Sequence, residues 1–547
     1  METPDGKYRI TRFRTFTHRL AGWLPSAWRE PIAEHWLRRP DSPGPAAEHV
    51  IQYLLSAGKP VNGGRTAREA KVAVGADHFY DRQYRQYLNP TMGVFAATAT
   101  QALIASGGNP KGRLWRRHRR TYSAMLEQSG NALPIVVLDR QSVALPLFLP
   151  RPKRQGEAAA VSRWLSGSDS MPNYYRDMVA GDAIRCEETR VRAREQTAVG
   201  AVLETMNAAL ASRRLAILAL HPHDPDAMGL HITLFGIEIL TPERLVSEYG
   251  LEPAAIEAHS EAMLRTDSML VFCVGCTEEV FTQCSQNLFV KRPRPDPESR
   301  LQPEPEPPIS ALKRLIPQQF ETIQVTASAS GLPGASPRNG DIGKAAFMSH
   351  RRNRTVLLIP YHPGNAVHGH AAKLWSNRYG SLVISDDHHA LSRVTVSGPA
   401  RIIGHRTARR QFPEVTAQVA SQIGHNGKAV ADPEYWFVQE VAELVQQRER
   451  LSANTLDATR PACSISAGGQ AHHGKKPGYF NADELPPYDQ HLQHRREAAE
   501  RPTDPTGSQR RQWLETSRAA LETRRLHLQK VLPDRESSER NDIDLPT

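Results

Sequence analysis

The chain has 547 residues, 39% apolar and 23% charged, with a net charge of +11. One hydrophobic core does not serve so long a chain, so roughly two to four domains are expected. The positive balance favours anionic partners such as phosphates, nucleotides or nucleic acid. Five cysteines suggest no disulfide framework. No apolar run is long enough to span a bilayer and the N-terminus lacks a signal-peptide pattern, so a cytoplasmic protein with no membrane partner is expected.

In chain order, residues 1–85 carry short amphipathic patterns such as Pro45–Gly58, a helical N-terminal segment. From Val94 the run VFAATATQALIASGGNPKG reads as a strand and a turn. Leu133–Pro150 reads as a hairpin or two strands, and residues 151–200 as an insertion that turns helical. Arg213–Asp224 and Leu230–Leu240 are strands again. Next comes a helix with Thr241 as N-cap, Pro242 and Glu243 in the first turn and Gly250 at its end. A first β-rich domain thus spans 86–292. Residues 293–315 follow as a linker rich in proline and charge. A second domain, 316–450, returns to strands at Glu321–Pro337, Arg354–Asn365, Tyr379–Asp387 and Ser392–Ile403. The tail, 451–547, is polar and partly helical.

The two domains repeat one another. FAATATQALIASGGNPKG matches QVTASASGLPGASPRNGD, and RRLAILAL with LHITLFGIEIL matches YGSLVISDD with SRVTVSGPARI. Thr233 and Gly236 correspond to Thr395 and Gly398.

The segments VTASASGLPGASPRNGDIG, TVLLIPYHPGN, AKLWSNRYGSLVI and SRVTVSGPARI resemble the pyridoxamine 5'-phosphate oxidase-like proteins, the FMN-binding split β-barrels. The match covers about residues 320–405, and a weaker copy spans about 90–290. The resemblance implies a β-rich α+β fold of two split β-barrels in tandem with flanking helices. It implies FMN as cofactor and a flavin-dependent oxidoreductase acting on a small molecule. Barrels of this family pair with flavin in the groove between them, which implies an intrachain pseudo-dimer or a homodimer. By the same resemblance EEVFTQCSQNLF is the helix after the barrel, and Cys284 approaches the flavin.

The candidate cofactor-binding residues follow. Ser336 and Arg338, on the Gly-rich turn GLPGASPRNGDIG, would meet the flavin phosphate, since a guanidinium fork suits phosphate oxygens and glycines let backbone N–H groups approach. Asn365, His370 and Lys373 would add donors and charge, and Ser381 lies in the strand the family also uses. The chain departs from the family in three places: Arg378 replaces a proline, His368-Gly369-His370 replaces a Ser-Arg-Lys cluster, and Ser106-Gly107-Gly108 has no counterpart of Arg338. No catalytic base is named, because the flavin carries that chemistry.

Two alternatives remain: a non-catalytic flavin or small-molecule binder, and a nucleic-acid-binding protein using the basic stretch 111–120 with Trp115. His221, His223, Asp224, Asp226 and His231 read as a loop rather than a metal site. Cys273 and Cys276 read as small buried strand residues without a second pair. The helix pair 241–264 is too acidic in its second helix to read DNA.

Overall fold

The structure, a computed structural model, describes residues 88–461 apart from 89, 98, 112–117, 128–134, 140, 185–190, 221–228, 252, 257–267, 284–288, 292–305, 320, 330, 340–344, 352–353, 362–368, 386–392, 421–431, 434 and 448–455. The segment 1–85, most of the linker and nearly all of the tail lie outside the described residues, as do Asn365, Cys284 and Trp115.

The first half begins with α1 (Pro90–Ala97), so the run expected as strand from Val94 is helical at its start. Phe95 and Ala96 of that helix are buried in the core, which favours an anchored helix over an extended lead-in. Then come β1 (Gln101–Lys111), β2 (His118–Glu127), β3 (Val136–Asp139), β4 (Ser142–Pro150), α2 (Gln155–Leu165), α3 (Asn173–Ala180), β5 (Asp182–Ile184), β6 (Arg192–Glu195), α4 (Ala198–Ser212), β7 (Arg214–Leu220), β8 (Gly229–Leu240), α5 (Pro242–Tyr249), β9 (Ser268–Gln283) and β10 (Phe289–Lys291). The hairpin expected in 133–150 is β3–β4, with Val137 opposite Val143. The expected turn at Gly107–Pro110 is instead strand, with a register irregularity there. α5 starts and stops where its sequence says: Thr241 accepts from the Arg244 N–H, and Gly250 takes the left-handed conformation at φ +59°. EEVFTQ is not helical as the resemblance implied; through Gln283 it is the end of β9, held to β8 by a ladder that pairs Thr233 with Glu279 and His231 with Phe281.

The second half contains α6 (Pro308–Leu315), β11 (Glu321–Ala327), β12 (Pro333–Asn339), β13 (Phe347–Arg351), β14 (Arg354–Tyr361), α7 (Gly369–Asn377), β15 (Tyr379–Ser385), β16 (Arg393–Gly404), α8 (His405–Gln411), α9 (Pro413–Ala420), β17 (Tyr435–Glu440) and β18 (Glu443–Gln447). β19 (Leu456–Pro461) pairs with β10. α6 lies inside the expected linker. Proline suits its first turn, and its Ile309, Leu312 and Leu315 are buried in the second core.

Among the described residues the molecule is β-rich and its sheets are antiparallel apart from one pairing. The first sheet runs β2-β1-β7-β8-β9-β4-β3, and the main path of the second runs β12-β11-β15-β16-β17-β14-β13. The two orders correspond strand for strand. β16 is shared along its length: Arg393–Ser397 pair with β18, and Ala400–Gly404 pair with β17. The one parallel pairing joins β6 to β18, so strands from the 151–200 region extend the second sheet.

The sheets meet along an apolar seam. Leu103, Ala105 and Leu218 of the first pack with Ile323, Val325 and Val383 of the second. The packing is reciprocal: β12 lies against β1 and β7, and β2 lies against β11 and β15. Such exchange of roles is what an isologous pairing of two similar units produces. Polar clamps flank it. The Arg119 N–H donates to Asn377 Oδ1 at 2.6 Å while Asn377 Nδ2 donates to the Arg119 carbonyl at 3.0 Å. Thr121 and Ser381 share a hydrogen bond, and Ser381 also bonds Ser397 at 2.9 Å. Among the described residues no helix is long and apolar enough to cross a membrane.

Candidate functional site

The stretch GLPGASPRNGDIG does not place its arginine on a turn. Among its described residues the turn lies at Ser328–Leu332, where the Gly331 N–H donates to the Ser328 carbonyl, the Ser328 N–H donates to the Leu332 carbonyl, and Gly331 has φ +94°. Arg338 is not on that turn. It sits in β12, opposite Thr322 of β11. Seven consecutive ladder pairs impose the strand, and this tertiary pairing overrides the local turn formers. Alternation then sorts the side chains. Ala335 joins the apolar seam, while Gly334, Ser336 and Arg338 share the opposite face with Gln324 and Thr326 of the paired strand.

Arg338 is 7% exposed. Its guanidinium lies 5.4 Å from the Tyr361 ring centre and 5.5 Å from that of Phe437, and its Nε donates to Gln324 Oε1 at 3.0 Å. Among the described residues no carboxylate pairs with it. Burial lowers its pKa, and the Tyr361 and Tyr435 hydroxyls act the other way. Taking a cation out of water costs several kcal/mol, which aromatic faces and one neutral amide only partly offset.

α7 brings the other cations. His370 Nδ1 is 2.8 Å from Thr326 Oγ1. Lys373 Nζ donates to Glu279 Oε2 at 3.0 Å, and both side chains are buried. A Cβ on Gly334 would come within 2.9 Å of Lys373 Nζ, so the glycine leaves room for the ammonium. Glu279 belongs to β9 of the first sheet, as its neighbour His231 belongs to β8. His231 Nδ1 lies 3.1 Å from the Ala335 carbonyl, its Nε2 lies 2.8 Å from Thr233 Oγ1, and its ring stacks on Phe281 at 4.4 Å. A carbonyl only accepts, so Nδ1 carries the proton, and in the neutral ring Nε2 accepts from Thr233.

The two sheets thus build one buried cluster: Arg338 and Lys373 as fixed cations, Glu279 as the carboxylate on Lys373, and two histidines. Burial first, then the charges of Arg338 and Lys373, holds His370 well below its ordinary pKa. Burial likewise lowers His231, against the opposing pull of Glu279. Both rings are neutral in the folded protein at neutral pH. Since their folded pKa values lie below the unfolded value of about 6.5, their contribution to stability is full above that pH and is lost as pH falls towards the folded values. Each histidine adds a slope of up to roughly 1.4 kcal/mol per pH unit below about pH 6.5. Urea unfolding measured through that range is expected to show a shallower decline in His370→Gln than in the parent chain; parallel slopes would mean that His370 is not buried.

Of the residues expected at the site, the structure brings Arg338, His370 and Lys373 together, with Ser336 buried on the same face as Arg338. Ser381 lies apart, in the hydroxyl ladder of the seam with Thr121 and Ser397. Asn365 is outside the described residues. Sequence reasoning missed Glu279 and His231, supplied by the other sheet, and the rings of Tyr361 and Phe437. The signal for Glu279 was a carboxylate inside the otherwise apolar run SMLVFCVGCTEEVF. His231 was weighed for chemistry only with the loop before it, although the run Leu230–Leu240 that contains it was expected as strand, and the structure puts it in β8.

The other constellations resolve differently. Cys273 is buried as expected, but Cys276 is exposed. Of the basic stretch, Arg119 donates from Nε to the Ala329 carbonyl at 2.8 Å and from Nη1 to the Gly108 carbonyl at 3.0 Å, and Arg120 pairs with Glu443 at 3.4 Å. These two half-buried arginines are engaged with the second half or with β1. Residues 112–117 and His221–Asp226 lie outside the described residues.

No family model matches the chain, and no curated protein matches it. Among solved structures it is similar to HupZ of Group A Streptococcus, at 14% identity over 26% of this chain and 95% of that one, with a TM-score of 0.18. It is similar to HutZ of Vibrio cholerae, described as a heme storage protein, at 14% identity over 24% of this chain and 90% of that one, TM-score 0.16. A NimC/NimA family protein of Clostridium acetobutylicum is 9% identical over 24% of this chain and 79% of its own length, TM-score 0.16.

Proposed function

We propose that the chain is a flavin-dependent oxidoreductase of the pyridoxamine 5'-phosphate oxidase-like kind, built from two split barrels in tandem that pair within one chain, and that it holds the phosphate of FMN in the cluster at their seam. The observation that carries this reading is Arg338: a buried guanidinium with no carboxylate among the described residues is expensive to keep unless an anion completes it. The reciprocal seam supports pairing within the chain rather than between copies. The residues fit the phosphate end of the cofactor. Arg338 would bind it through the guanidinium fork and Lys373 as a point charge. His370, neutral and fixed on Thr326, would position it. Ser381 is engaged in the seam and is given no part in binding. When bound, FMN would supply hydride chemistry; the protein's part is to hold the phosphate, orient the ring and exclude water.

The test is direct. Protein purified after expression with riboflavin is expected to be yellow, to release FMN on heating and to oxidise a reductant in the presence of an acceptor. A bound flavin without turnover would favour the binding-protein reading. A colourless protein that ignores added FMN would remove both.

A further inference from the structure

Glu279 is the one member of the cluster that works against an anion. Its Oε2 sits on Lys373 Nζ at 3.0 Å and within 3.8 Å of His231 Nε2. It reaches there from the first sheet, while Lys373, His370 and Arg338 all belong to the second half. A ligand oxygen bonded to the same ammonium would lie at most about 6 Å from Glu279 Oε2, since each would be about 3 Å from Nζ. At that separation two negative charges in a buried setting repel strongly.

We infer that Glu279 is an internal competitor for the anion site: it occupies Lys373 while no ligand is present and weakens the binding of any dianion that shares that ammonium. This rests on the anion-site reading above and deepens it, because it turns a tight resident cofactor site into one whose phosphate-bearing ligand exchanges. The arrangement has a second consequence. Lys373 stays paired while no ligand is bound, so Arg338 is left as the cation of the cluster with no acid partner among the described residues, and the ligand-free protein is spared a second unpaired charge. The carboxylate is therefore both counterion and selectivity residue: it disfavours dianions more than monoanions, because each added ligand charge meets the same fixed negative charge.

The experiment uses sulfate as the probe, a dianion at all working pH values, with chloride at matched ionic strength as reference, and reads thermal unfolding of the full chain. In chloride, Glu279→Gln is expected to unfold at a lower temperature than the parent, because Lys373 loses its counterion. Sulfate is expected to restore that loss and to bind about tenfold more tightly, or better, than it does to the parent. Sulfate also stabilises proteins generally by exclusion from their surface. The double variant Glu279→Gln/Lys373→Met sets that baseline and is expected to respond no more than the parent. An equal sulfate response in the parent and Glu279→Gln overturns the competitor role. So does a larger response that survives in the double variant. FMN titrated into the same proteins keeps the two readings apart. Enhanced sulfate binding without any FMN binding upholds Glu279 and removes the flavin, whereas FMN binding that is unchanged by Glu279→Gln upholds the flavin and removes the competitor.

Discussion

Arg338→Met is expected to leave the fold intact and to weaken anion binding strongly. The substitution keeps most of the side-chain length against Tyr361 and Phe437 and removes a cation that burial disfavours. What it sacrifices is the bond to Gln324 Oε1 and the cation–aromatic contacts, together about 2–3 kcal/mol. The relief of an unpaired buried charge is of similar size. Stability, read from urea unfolding, is thus expected to change by no more than about 1 kcal/mol in either direction. Affinity for FMN or sulfate is expected to fall by about a hundredfold, the loss of a bidentate charge-assisted contact. A residue kept for stability would give the opposite pattern, a loss of 3 kcal/mol or more with ligand affinity untouched in whatever folded protein remains.

The second large effect lies in the sheet. At Gly398, β16 passes from its pairing with β18 to its pairing with β17. The chain of Glu440–Ala442 bends past at that point, with the Ala442 N–H donating to the Ser397 carbonyl. A Cβ on Gly398 would overlap the Glu440 carbonyl oxygen. That oxygen belongs to backbone and cannot rotate away, so Gly398→Ala is expected to cost about 3 kcal/mol or more. Gly236, its counterpart in the repeat, meets nothing within 4 Å and is constrained only by φ +62°. Gly236→Ala is expected to cost about 1 kcal/mol. Denaturant unfolding of both variants checks the contrast; equal losses would mean that the β16 crossing is not as described.

The elements that sequence exposed were those whose determinants are local. Thr241, Pro242 and Gly250 specify α5 within ten residues, and the hairpin of β3 and β4 announces itself by its apolar run. The repeat expected from the sequence was one of element order, and the two sheets keep the same strand order. Arg338, His370 and Lys373 were legible as a group only through the resemblance. What could not be read was the conformation at Arg338, where turn formers are drawn into a ladder by β11, and the contribution of Glu279. The latter is separated from Lys373 by 94 residues and is brought to it by the packing of one sheet on the other. A site assembled across a seam has some of its groups written far from the motif that suggests it. The helix at EEVFTQ failed for a related reason: β8 supplies the ladder that makes it strand.

The most direct measurement is a paired titration of the full chain with FMN and with riboflavin, which lacks only the phosphate, followed by quenching of flavin fluorescence and repeated in Arg338→Met. If the buried cluster holds the phosphate, FMN binds at least about a hundredfold more tightly than riboflavin and the difference collapses in the variant. Equal affinities for the two flavins, or no quenching by either, would contradict the account.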